Sequence, residues 1–170
     1  EYPDGQLAEI NPLGLEAEVA DRLHATGPDV VITYPVHGIS GHPDHLVTHA
    51  VVKRVACALR RDGAAGPRRL AFYTLPPAPD DAERPSHLQH SPPALIDCTV
   101  PVQDADRDTG REALYCYETY RPVIEEHRPL ATVGDQLSYE IFGEDHDPPL
   151  SSLLEGLPAP DASPSTPPSS

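Results

Sequence analysis

Asp29-Val-Val-Ile-Thr-Tyr-Pro-Val-His-Gly-Ile-Ser-Gly-His-Pro-Asp-His-Leu-Val-Thr-His49 is the stretch on which the fold turns. Val30-Val31-Ile32 is a short continuous apolar run, the pattern of a strand buried on both faces of a parallel sheet. A Gly-bearing loop follows, and Pro43 then suits the first position of a helix, where its missing N–H costs nothing. His42 is thereby predicted as the N-cap, with Asp44 and His45 in the first turn. A histidine pair and a carboxylate at the carboxyl end of a strand are in the right place for chemistry, because ligands of open α/β sheets bind there.

Outward from this stretch the pattern alternates. Leu13, Leu15, Val19, Ala20 and Leu23 recur at helical spacing over 12–26, and Gly27-Pro28 stops that helix. Residues 43–60 form a second helix with Leu46, Val47, Ala50, Val51, Val55, Ala58 and Leu59 on one side. Leu70–Leu75 reads as the next strand. Leu95–Val102 reads as another, at a sheet edge because Pro101 cannot donate to a ladder. A helix from Thr109 to Glu126 follows, kinked or cut short by Pro122. Helix, strand, helix, strand, loop, strand, helix predicts an α/β protein with a mostly parallel sheet.

Composition bounds the rest. Of 170 residues 22 are Pro, and the formal charge is −15. The prolines concentrate in residues 76–94 and 143–170, so residues 1–142 are expected to form the domain. Residues 143–170 form an acidic, Pro- and Ser-rich tail, disordered from Pro158 onward. The net charge argues against nucleic acid or an anionic membrane surface as partner, since both demand clustered Lys and Arg. The basic pairs Lys53-Arg54, Arg60-Arg61 and Arg68-Arg69 read instead as a helix face and end and a strand start. Cys57, Cys98 and Cys116 contain no Cys-x-x-Cys pair and suit reduced, partly buried thiols in a cytoplasmic protein. No apolar run approaches the ~20 residues needed to span a bilayer.

The positive end of a helix dipole disfavours a protonated imidazole, so His45 is expected to be neutral, the form that a metal requires. Asp44 can accept a ring N–H from a histidine and fix its tautomer. A His-x-x-His pair by itself is a weak signal, and an Asp in a first helical turn is an ordinary capping choice. His49 shares a helix side with His45, and a packed or solvent-facing role is expected for it. His37 reads as a solvated loop residue. His87 and His90 lie in a Pro-rich loop that could cover the site. Tyr115, Tyr117 and Tyr120 are expected to be partly buried. Asp104, Asp106 and Asp108 read as an acidic turn capping the next helix, since Gly110 and Tyr115 do not fit a calcium loop.

Gly-His-Pro-Asp-His at 41–45 after a strand, together with the turn Tyr2-Pro3-Asp4-Gly5, resembles the LmbE-like (PIG-L) family of zinc-dependent N-acetylglucosaminyl deacetylases. The resemblance covers roughly residues 1–142 and is most specific over 29–50. It implies a Rossmann-like three-layer fold and hydrolysis of an N-acyl group on an amino-sugar conjugate or similar small amide. It further implies that His45 ligates Zn2+, His42 acts as general acid, Asp44 orients His42, and Asp4 lies near the substrate. Glu140-Ile-Phe142 resembles a late Glu-x-Phe segment of the family, and many members assemble as oligomers.

One departure matters. Family members carry a His-Pro-Asp-Asp motif that supplies two zinc ligands and the base, and this sequence has none. The expectation is a piece of a longer enzyme whose first strand-helix unit is absent, carrying only the second half of the site. Two other readings stay open. One is a degenerate member acting as a small-molecule binding or interaction module. The other is a different metalloenzyme built from His42, His45 and His49.

Overall fold

The computed structural model describes residues 2–61, 66–77 and 85–158. Helix α1 spans Pro12–Thr26 and starts on Asn11, whose side chain accepts from Leu13 N. It stops at Gly27, which adopts φ 53° and donates its N–H to Leu23 O. This is the left-handed stop a glycine permits. Strand β1 (Val30–Thr33) leads to helix α2 (Pro43–Arg61), and strand β2 follows at Arg69–Thr74. Strand β3 covers Cys98–Pro101, helices α3, α4 and α5 cover Asp104–Tyr115, Arg121–His127 and Pro129–Val133, and strand β4 covers Gln136–Ile141.

The sheet order is β1-β2-β4-β3. Among the described strands only the β1–β2 pair is parallel, with Val30 opposite Arg69 and Thr33 opposite Phe72. Strand β4 runs antiparallel to both neighbours, placing Tyr139 opposite Tyr73 and Cys98. The predicted mostly parallel sheet is thus corrected to a mixed one. The expectation counted alternating helices and strands but missed β4. That strand returns from the α3–α5 block between β2 and β3, and so reverses direction against both. The β1-loop-α2-β2 crossover is the part that follows the α/β pattern.

Each face of the sheet has its own packing. Leu70 and Phe72 of β2 meet Ala56 of α2, while Leu23 of α1 meets Val55 and Leu59 of α2. Ala71, Tyr139, Ile141 and Cys98 fill the opposite face. Strand β2 is therefore buried on both sides, which is why its sequence reads as an unbroken apolar run. Strand β1 lies at the edge of the described sheet, and its Ile32 is 52% exposed. Strand β3 forms the other edge, as Pro101 requires.

The second half of the chain differs from expectation in two further ways. The single helix predicted over 109–126 is two helices. Helix α3 begins earlier, with the Asp106 carboxylate accepting Gln103 N at 2.9 Å, and Pro122 sits in the first turn of α4. Residues 143–158, assigned by composition to a separate tail, are bonded to the sheet. Thr99 N donates to Leu150 O and Leu150 N donates to Asp97 O, and Leu150 and Leu153 pack on the β3–β4 face. The physical reason is Arg69, which is only 3% exposed on a core strand and needs anionic and carbonyl partners. Its guanidinium donates to both carboxylate oxygens of Glu144 (3.0 and 2.7 Å), to Leu153 O and to Glu155 O. Residues 159–170 lie outside the described residues.

Among the described residues no helix is long and apolar enough to cross a membrane. Cys98 is buried, and that burial pushes its thiol up to about 11. Cys57 and Cys116 are exposed, and so are Tyr115, Tyr117 and Tyr120, against the partial burial expected of the tyrosines.

Candidate functional site

The backbone carbonyl of His42 accepts from His45 N and Leu46 N, and its imidazole Nδ1 accepts from Asp44 N at 3.2 Å. His42 is therefore the N-cap of α2, and it caps with its own ring. A ring nitrogen that accepts carries no proton, so the neutral imidazole of His42 has its N–H at Nε2. His45 has the opposite tautomer. Its Nδ1 stands 2.8 Å from the carbonyl oxygen of Gly38, which can only accept. The proton is at Nδ1, and the Nε2 lone pair is left for a metal or a proton. The two rings are 5.2 Å apart, and the His45 ring stacks on Tyr34 at 3.9 Å with 9° between planes. One imidazole thus leaves a ring lone pair and the other a ring N–H, within one helical turn.

Asp44 does something other than orient His42. Its carboxylate accepts from Gly5 N (2.7 Å) and Leu7 N (3.0 Å). The physical reason is the cap itself, because a His42 Nδ1 that accepts from the helix has no proton to offer a carboxylate. Asp44 fastens the N-terminal turn to α2, which brings the exposed Asp4, one residue before Gly5, to the motif. His49 belongs to the core. It is 7% exposed, donates from Nδ1 to Tyr34 O at 2.8 Å and packs on Phe72.

His37 is half-buried rather than solvated. Its Nδ1 accepts from Ile39 N, so its Nε2–H faces Ser91 Oγ at 3.3 Å. Ser91 in turn donates to Glu140 and lies 2.6 Å from Thr74 Oγ1. Burial pushes the His37 imidazole below its ordinary value, opposed by the nearby Glu140 carboxylate and reinforced by His90 and His49. This chain joins the loop before the motif to β2 and β4. The period-2 alternation of Leu137, Tyr139 and Ile141 was the sequence signal for β4, and it would have set Glu140 on the face opposite the core cluster. Of the loop bearing His87 and His90, residues 78–84 fall outside the described residues. The described part is tied to the site by Gln89 N donating to Ile39 O.

Among the described residues no three His, Cys, Asp or Glu side chains stand together as a group able to hold a metal ion. Catalytic zinc takes three protein ligands. The described residues offer one well-oriented imidazole toward such an ion and do not complete its shell.

Comparison with known proteins gives this geometry a family context. Residues 1–56 match the family model described as PIG-L: GlcNAc-PI de-N-acetylase, a segment running from the N-terminal turn through β1 and most of α2. Two curated relatives carry the name 1D-myo-inositol 2-acetamido-2-deoxy-alpha-D-glucopyranoside deacetylase. The one from Gordonia bronchialis is 40% identical over 62 residues, covering 36% of this chain and 20% of the relative. The one from Kineococcus radiotolerans is 35% identical over 60 residues, covering 35% of this chain and 17% of the relative. The matched part of the chain thus spans about a fifth of the length of these relatives. The resemblance found in the Gly-His-Pro-Asp-His motif is a real similarity to deacetylases of N-acetylglucosamine-containing compounds.

Proposed function

We propose that this chain forms the second half of a zinc-dependent N-deacetylase site acting on an amino-sugar conjugate or similar small amide. The observation that carries the reading is a pair of contacts that imply opposed tautomers: His45 Nδ1 lies on Gly38 O, whereas His42 Nδ1 accepts from Asp44 N. A backbone carbonyl on one ring nitrogen is the usual way that a metal-ligating histidine is oriented. When bound, zinc would polarise the amide carbonyl and its own water. His42 would donate its Nε2 proton, first to the developing oxyanion as a hydrogen bond and then to the departing amine. Asp44 would hold the Tyr2–Gly5 turn, and with it Asp4, against the substrate side of α2.

The remaining ligands and the base would come from a complementary segment pairing with the open edge of β1. Two observations support that edge: Ile32 is 52% exposed, and Thr33 Oγ1, at the strand's carboxyl end, is buried without a hydrogen-bond partner. In the complete protein, His45→Ala should lose zinc, while His42→Ala should keep zinc and lose turnover. Full zinc occupancy in His45→Ala would overturn the assignment. The described residues lack a three-ligand group, which favours a second reading, a binding module without catalysis. Turnover of an N-acetylglucosamine conjugate by the complete protein would exclude it.

A further inference from the structure

A cavity of about 580 Å3 lies beside the motif loop, walled by Ile39, Tyr73, Leu88, His127, Val133 and Leu137. Its volume falls in the range of small-molecule sites, which are mostly apolar with a few polar groups. None of its described lining residues is Lys, Arg, Asp or Glu; His87, His127 and Tyr73 are its polar side chains, set among Ile, Leu, Val and Pro, so an apolar group is its best-matched occupant. It is the chain's own loops and late helices that build it.

Ile39 connects the cavity to the chemistry. It sits between Gly38, whose carbonyl holds His45, and Ser40, whose hydroxyl lies 3.4 Å from the same ring nitrogen. Its φ is 62°, in the left-handed region that a β-branched residue rarely enters. The conformation is held from both sides: Ile39 N donates to His37 Nδ1, and Ile39 O accepts from Gln89 N at 2.6 Å. Strain of this kind persists only where the surroundings over-determine it, and it clusters at ligand sites. Here it makes an isoleucine a fixed wall shared by the cavity and the His45 loop.

We infer that the cavity receives an uncharged alkyl or aryl substituent of the amino-sugar conjugate while the amide lies against His42 and His45. This rests on the deacetylase reading and adds a substrate class to it: conjugates with an apolar group, on the acyl or the glycosidic side. Each methylene that leaves water should tighten binding about fourfold.

The test is an NMR and calorimetric titration of the 170-residue chain with four probes. These are N-acetylglucosamine, N-hexanoylglucosamine, the hexyl glycoside of N-acetylglucosamine, and hexanamide without a sugar. At least one hexyl sugar should bind ten times or more tighter than N-acetylglucosamine, and which one gains tells the side that carries the group. Hexanamide should shift the methyl signals of Leu88, Val133 and Leu137. Leu88→Asp and Val133→Asp, each with an unchanged melting curve, should abolish the gain and leave N-acetylglucosamine shifts at 38–45 intact. No gain for either hexyl sugar, or a gain surviving both variants, overturns the inference. Hexanamide then separates the causes: absent methyl shifts mean the cavity does not bind, whereas methyl shifts without a sugar gain count against the amino-sugar reading itself.

Discussion

His45 and Gly38 are joined by a 2.8 Å hydrogen bond from imidazole Nδ1 to the backbone carbonyl, across seven residues of loop and helix start. That bond sets which ring nitrogen of His45 is free, and so sets what the site can do. It needs the loop to turn sharply at Gly38, which adopts φ 64°. A Cβ there would lie 3.0 Å from the Cβ of His45 and 3.1 Å from Leu46 Cδ2.

Gly38→Ala should therefore lower stability by about 1–3 kcal/mol through backbone strain and crowding. On the proposed zinc-site reading it should also weaken zinc binding by about 10–100-fold, because the acceptor that orients His45 moves. Gly41→Ala is the control: its φ is also positive, at 71°, but its Cβ would meet only Gln89 Nε2 at 3.6 Å. Denaturant melts and metal titrations of the two variants should separate them. Equal metal affinities would show that the Gly38–His45 contact does not govern the ligand.

Asp44→Ala should free the N-terminal turn without changing the tautomer of His42. Two backbone N–H groups lose their acceptor, for a loss of about 1–3 kcal/mol in all. Hydrogen exchange should accelerate at Gly5 and Leu7, while the His42 ring nitrogens keep their NMR shifts. A changed His42 tautomer with unchanged exchange at Gly5 would restore the orienting role first expected of Asp44.

The motif was legible in the sequence because its parts are local. Pro43 fixes the helix start, the apolar run Val30–Ile32 fixes the strand before it, and both fall where they were expected. The partners of Asp44 were not legible, since Gly5 and Leu7 are 39 and 37 residues away and backbone amides have no sequence signature. Tyr34, stacked on His45, was missed because an aromatic after a strand commonly reads as core. Strand β4 was missed for a different reason: its alternation of Leu137, Tyr139 and Ile141 is only three residues long and follows a run of weak helices. Leu150 and Leu153 were hidden by the composition around them, which is Pro- and Ser-rich, although both pack against the β3–β4 face.

His37 should make stability depend on pH near neutrality. Burial disfavours its charged form, so the unfolded chain takes up the proton first as pH falls below 6.5. Stability contributed by the neutral ring is whole above 6.5, is lost from there down to the lower folded value, and changes no further below it. Subtracting urea midpoints of His37→Gln from those of the wild type across this range isolates its share from the other histidines. A difference that stays flat through 6.5 would mean that burial does not hold the ring neutral against the pull of Glu140.

Arg69 and Glu144 give an acid limb of opposite origin. The hydrogen bonds from Arg69 hold the Glu144 carboxyl below its usual 4.5, with a smaller contribution from His146, against partial burial. A depressed carboxylate stabilises fully above the unfolded value of 4.5 and loses that contribution as pH falls through the lower folded one. Arg69→Met should lower stability at neutral pH by about 3 kcal/mol, the low end for breaking a buried pair, because Glu144 is 28% exposed. It should also flatten the acid limb, since the remaining carboxylate no longer gains a proton-linked partner. Arg69→Lys should recover only a fraction, because one ammonium cannot reach both Glu144 oxygens and the carbonyls of Leu153 and Glu155 together. Residues 143–158 report the same event locally, through faster exchange at Thr99 and Leu150, whose amide bonds tie that segment to β3. If Arg69→Met kept wild-type stability and protection at both amides, the segment would be held without Arg69, by its backbone bonds and by Leu150 and Leu153.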